Sequence, residues 1–74
     1  MRRRNRINEV KLRLKQTAQD GGFTLKAISE ATSYSEASVC RYLDVRALSA
    51  PPVAFLVAFA EVTGTTTTWL IEGD

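Results

Sequence analysis

TLKAISEATSYSEASVCRYL, residues 24–43, carries two short apolar stripes separated by a polar triplet. Thr24 precedes the first stripe, where its side-chain oxygen can accept a backbone N–H of the first helical turn. Leu25, Ile28 and either Ala31 or Thr32 then fall on one face. Ser33, Tyr34 and Ser35 break that helix, and Ser35 can cap a second one in which Val39, Tyr42 and Leu43 point inward. The small Ser29 lets the two helices approach closely, and Val39 pins the second across the first. The outer residues of the second helix then project together.

Outward from this pair, the punctuation predicts three more helices. Ile7, Val10, Leu14 and Ala18 recur at helical spacing over residues 5–20, and Gly21-Gly22 stops the run. Pro51 and Pro52 sit where proline is tolerated, at the start of a helix through Val53, Leu56, Val57 and Ala60 that ends at Gly64. Thr66 can cap a last turn bearing Trp69, Leu70 and Ile71, which close the core. No segment alternates polar and apolar residues over a strand length, and no repeat is present. The expected fold is all-α: a compact five-helix domain over residues 7–74, preceded by a basic arm at residues 1–6.

Composition limits the function. With 45% hydrophobic and 24% charged residues, the 74-residue chain has globular usage and room for one core. Cys40 is the only cysteine and histidine is absent, which excludes an internal disulfide and a Cys/His zinc site and fits a reducing, cytoplasmic setting. The longest apolar run, residues 53–60, is far below the ~20 residues of a membrane span, and no apolar stretch follows the basic start as in a secretory signal. No nucleophile–base set, paired carboxylates or glycine-rich phosphate loop can be assembled, so neither an enzyme, a small-molecule substrate nor a cofactor is expected. The net charge is only +2, yet residues 1–26 hold eight of the ten basic side chains: Arg2, Arg3, Arg4, Arg6, Lys11, Arg13, Lys15 and Lys26. A basic edge on a balanced domain is expected to meet a polyanion. A protein-binding module, such as the partner-binding half of an antitoxin, is the alternative class.

Between Thr24 and Leu43 the chain resembles the helix-turn-helix of the lambda-repressor-like family, phage immunity repressors in particular. The likeness continues through Pro51 to Gly64, Thr66 and the ending Trp69-Leu70-Ile71-Glu72-Gly73-Asp74. Two departures are Ser33 in the turn, where relatives use glycine, and Leu25, where they use a glutamine that contacts the DNA backbone. Serine there is expected to adopt a left-handed conformation at some cost. Many relatives tie helix one to helix three by a buried Arg–Glu pair; the matching positions here are Thr17 or Ala18 and Leu43, an apolar replacement. The polar-Gly-acid ending leads, in relatives, into a linker and a further domain.

The resemblance implies a sequence-specific repressor of phage or prophage type that binds an inverted-repeat double-stranded DNA operator as a homodimer. Residues at the start and outer face of helix three then read bases: Glu36, Ala37, Ser38 and, foremost, Arg41, whose guanidinium can bridge O6 and N7 of a guanine. Glu36 serves equally as a helix-start acid, and Ala37 and Ser38 as plain helix-start residues. Arg2, Arg3, Arg4, Arg6, Thr24, Lys26, Ser35 and Arg46 are the expected DNA-backbone contacts. Cys40, beside the reading face, is expected to be a reduced, passive thiol. Apolar groups nearly all round the fourth helix, with Phe55 at a usually polar position, point to a dimer contact through Phe55, Ala58 and Phe59.

Overall fold

Hydroxyl caps set three of the helix starts. A computed structural model of the chain describes residues 6–73, with five helices and no strand among them: α1 (Arg6–Gly21), α2 (Leu25–Thr32), α3 (Glu36–Leu43), α4 (Val53–Thr63) and α5 (Thr67–Glu72). The side chains of Thr24, Ser35 and Thr66 accept the backbone N–H of Ala27, Ser38 and Trp69 at 3.0–3.1 Å. Each satisfies one of the amide donors that a helix start leaves without a partner. α4 has no such cap; it begins directly after Pro52, whose carbonyl accepts the Leu56 N–H.

The helix ends are equally local. Gly22 takes φ +71° and lets the Phe23 N–H return to the Ala18 carbonyl at 2.8 Å, which closes α1. α2 closes the same way without a glycine. Ser33 stands at φ 67°, ψ 17°, its N–H bonded to the Ser29 carbonyl, as the expectation of a left-handed serine required. The Ser29 hydroxyl then donates to the Tyr34 carbonyl across the turn. A larger residue at 29 would lose that bond and push α3 away.

One core joins all five helices. Val10, Leu14 and Ala18 of α1, Ile28 of α2, Val39 and Leu43 of α3, Phe55, Leu56, Phe59 and Ala60 of α4 and Leu70 of α5 are buried, with Phe23, Tyr34, Tyr42, Trp69 and Ile71 packed around them. Of the two alternatives on α2, Thr32 is buried and Ala31 is exposed; the Thr32 hydroxyl donates to the Ile28 carbonyl at 2.7 Å. Ile7 was expected on the core stripe but is 42% exposed, because the first turn of α1 runs past the edge of the packed region.

The dimer assignment on α4 needs correction. Phe55 and Phe59 are fully buried within one chain and Ala58 is half-buried. The physical reason is that α4 lies against α1, α2 and α5 at once, so its apolar residues are needed on several sides by the same molecule. Phe55 is the centre of an aromatic cluster: its ring centroid is 5.3 Å from Tyr34, 5.0 Å from Tyr42 and 5.8 Å from Phe59. Tyr34 and Tyr42 meet edge to face at 6.0 Å. This cluster fastens α3 and the turn before it to α4. The large apolar side chains that α4 leaves exposed are Val53 (67%) and Val57 (43%), with Leu48 in the preceding loop 97% exposed.

Two stability effects follow. Phe55→Ala should cost about 3–5 kcal/mol, the usual loss for emptying a fully buried aromatic site, whereas Val53→Ala should stay within about 0.5 kcal/mol. Equal losses in urea denaturation would contradict the assignment of Phe55 to the core. Ser33→Gly should raise stability by about 0.5 kcal/mol, the net of relieved left-handed strain of ~1 kcal/mol and greater freedom of the unfolded chain. A drop in the urea midpoint would show that the Ser33 side chain itself stabilises the turn.

Candidate nucleic-acid interface

α3 presents one face to the core and the opposite one to solvent. Val39 and Leu43 are buried and Tyr42 is half-buried, so helical spacing turns Glu36, Ala37, Cys40 and Arg41 outward, and all four are exposed. Ala37 and Arg41 stand one turn apart on that face. Ser38 is half-buried and less available than expected. It accepts a hydrogen bond from the Ser35 hydroxyl at 3.0 Å while its own N–H goes to the same oxygen. The Ser35 and Thr24 hydroxyl oxygens are both engaged as caps. Lys26 is exposed on the first turn of α2, and Arg6 is exposed at the start of α1. Arg2, Arg3 and Arg4 lie outside the described residues.

Arg46 is exposed beside α3 and bound loosely to its neighbour. The Asp44 carboxylate accepts the Arg46 N–H at 2.9 Å and its guanidinium at 3.4 Å. An open cleft lined by Lys15, Leu25, Cys40, Leu43, Asp44 and Arg46 joins this loop to α1 and to the start of α2. Lys15, which entered the sequence reading only as part of the basic segment, thus shares a surface with Arg46 and the outer face of α3.

The basic edge expected from residues 1–26 is smaller than its charge count. Arg13 is half-buried and donates through Nε and a terminal nitrogen to the Leu70 and Ile71 carbonyls, both at 2.8 Å, so it ties α1 to the end of α5. Lys11 is completely buried. Its Nζ donates to the carbonyls of Arg41 at 2.8 Å, Asp44 at 3.0 Å and Ala47 at 2.9 Å. Burial pulls the Lys11 ammonium below its usual 10.5, and the charge of Asp44 pushes back. The cations left on the described surface are Arg6, Lys15, Lys26, Arg41 and Arg46.

The α1–α3 tie has a polar part that the expected apolar replacement did not include. Ala18 and Leu43 are both in the core, but the specific link is polar and runs from Lys11 to the end of α3. Among the described residues no group of three metal-ligating side chains converges, and no described helix is long and apolar enough to cross a membrane. Compared with known protein families, with curated proteins and with solved structures, the chain matches none.

Asp44 gives this surface an acid dependence. The Arg46 backbone N–H holds its carboxyl below the usual 3.8, aided by the Arg46 guanidinium and Lys11 and opposed by desolvation. As pH falls, the unfolded chain takes up that proton first. The stabilisation is therefore complete above 3.8 and lost as pH drops through the lowered value. Urea midpoints should fall more steeply with acid in the parent than in Asp44→Asn. Parallel curves would show that the carboxylate makes no special contact.

Proposed function

We propose that this chain is a DNA-binding domain of the helix-turn-helix type, acting as a sequence-specific repressor that occupies an operator through α3. The observation that carries this reading is the outer face of α3. It is exposed along its whole length, bears Glu36, Ala37 and Arg41, and through Cys40 adjoins a cleft that Lys15 and Arg46 also line, with Lys26 exposed on the first turn of α2. An α-helix fits the major groove, where a guanidinium can take O6 and N7 of one guanine. These cations suit phosphates, which fix register without reading sequence. Arg41 specifies; Lys26, Arg46, Lys15 and Arg6 position.

One helix of eight residues reads only a few base pairs, so useful specificity requires two copies about one turn of duplex, ~34 Å, apart. The surface supporting a homodimer is not Phe55 and Phe59 but the apolar residues left uncovered nearby: Leu48, Val53 and Val57. These residues lie on α4 and in the loop between α3 and α4. An inverted-repeat operator follows from a two-fold arrangement.

Selection of bound duplexes from random DNA, followed by gel shifts across salt, tests the reading. Specific binding should emerge, and it should weaken steeply with salt as counterions are released. Arg41→Ala should remove preference at one base pair per half-site, about 1–3 kcal/mol, and leave general binding in place. Unchanged preference at every position would remove Arg41 from base reading. Salt-independent capture of a protein partner, with no duplex selected, would favour the protein-binding alternative. Val57→Glu should leave the fold intact and reduce binding to a full inverted repeat towards that to a half-site; undiminished cooperative binding would place the dimer contact elsewhere.

A further inference from the structure

α3 differs from the other helices in how it ends. α2, α4 and α5 finish on a left-handed residue whose own N–H bonds back into the last turn, and α1 closes through Gly22. After Leu43, by contrast, Asp44 is extended at φ −91°, ψ 113°, and no such backbone closure forms. The last carbonyls of a helix have no intrahelical partner and must find one elsewhere. Here the partner arrives from α1. The Lys11 Nζ reaches the Arg41 carbonyl in the final turn and the Asp44 and Ala47 carbonyls in the loop beyond, which uses all three ammonium protons.

We infer that Lys11 is the positioning residue of the reading helix, a buried ammonium that fixes where Arg41 and Arg46 stand relative to α1. The inference rests on the DNA-binding reading and deepens it. Three features carry the argument. The bonded carbonyl at 41 belongs to the residue whose side chain is assigned to base reading, so the cation holds that residue's backbone directly. The loop is folded around the same ammonium: Asp44 O accepts both Lys11 and the Ala47 N–H at 3.0 Å, and Asp44 Oδ1 accepts the Arg46 N–H. A positive charge at a helix carboxy terminus is favourable in itself. A side chain of similar length without the charge would fill the space but leave the α3 end and the loop without their common anchor.

The test compares Lys11→Met with Leu70→Ala, a core truncation on α5, both at a temperature where each is folded. In Lys11→Met, amide exchange should accelerate selectively in the last turn of α3 and residues 44–47, and the preference for the selected duplex over a scrambled one should fall about tenfold. Leu70→Ala should show neither the local pattern nor that loss. Equal discrimination in the two variants, with exchange raised evenly, overturns the inference. A parent protein that selects no duplex defeats the DNA-binding reading, and the exchange pattern then decides the positioning claim alone. If Lys11→Met does not fold, the unaltered protein decides by NMR. The Lys11 ammonium should give a slowly exchanging resonance with contacts to residues 41, 44 and 47, and a fast, solvent-like ammonium overturns the proposal.

Discussion

The buried ammonium of Lys11 is the constraint on which the arrangement of α3 depends. Removing a cation from water costs several kcal/mol, and only good geometry with every proton engaged offsets it. Three carbonyls at 2.8–3.0 Å meet that condition. Helices of eight residues are not stable alone, so α2 and α3 exist through what they are fastened to. At one end of α3 the fastening is Ser35 and the Ser29–Tyr34 bond; at the other it is Lys11. Between them, Val39 and the Tyr34–Tyr42–Phe55 cluster hold the inner face. Among the described residues no buried side-chain nitrogen or oxygen lacks a partner, so this polar fastening is complete.

Much of the fold was legible in the sequence because its signals are local. Thr24, Ser35 and Thr66 cap the helices they precede, Gly21-Gly22 and Gly64 end the helices before them, and Ser33 takes the strained conformation its place in the turn demands. What sequence reasoning missed is long-range. Lys11 stands on the stripe Ile7, Lys11, Leu14, Ala18, spaced four, three and four, so a cation at a core position was the available signal. Its meaning depended on carbonyls thirty and more residues away. Arg13 gave no such signal, since it stands off that stripe and its partners, the Leu70 and Ile71 carbonyls, are distant in sequence. Phe55 was misplaced because an all-round apolar helix has two physical origins, burial on several sides by one chain or by two, and only the packing of α4 against α1, α2 and α5 distinguishes them.

The candidate site was partly legible for the same reason. Outward positions on α3 follow from periodicity once Val39 is placed in the core, which gave Glu36, Ala37 and Arg41. Charge counting was a poorer guide. It treated Lys11 and Arg13 as part of a surface when both serve the interior, and it gave Lys15 no role beside Arg46. What remains is an exposed α3 face of few residues beside a cleft lined by Lys15 and Arg46, and it is on this face that the proposed DNA reading rests.

The most direct test of the central claim is a map of the surface proposed to meet DNA. Titrating isotopically labelled protein with the duplex it selects should move the amide and side-chain NMR signals of Glu36, Ala37, Arg41, Lys26 and Arg46, and leave unmoved the groove between α1 and α5 that Leu12 and Trp69 line. Perturbations centred on that groove, or none on α3 at saturating duplex, would contradict the account.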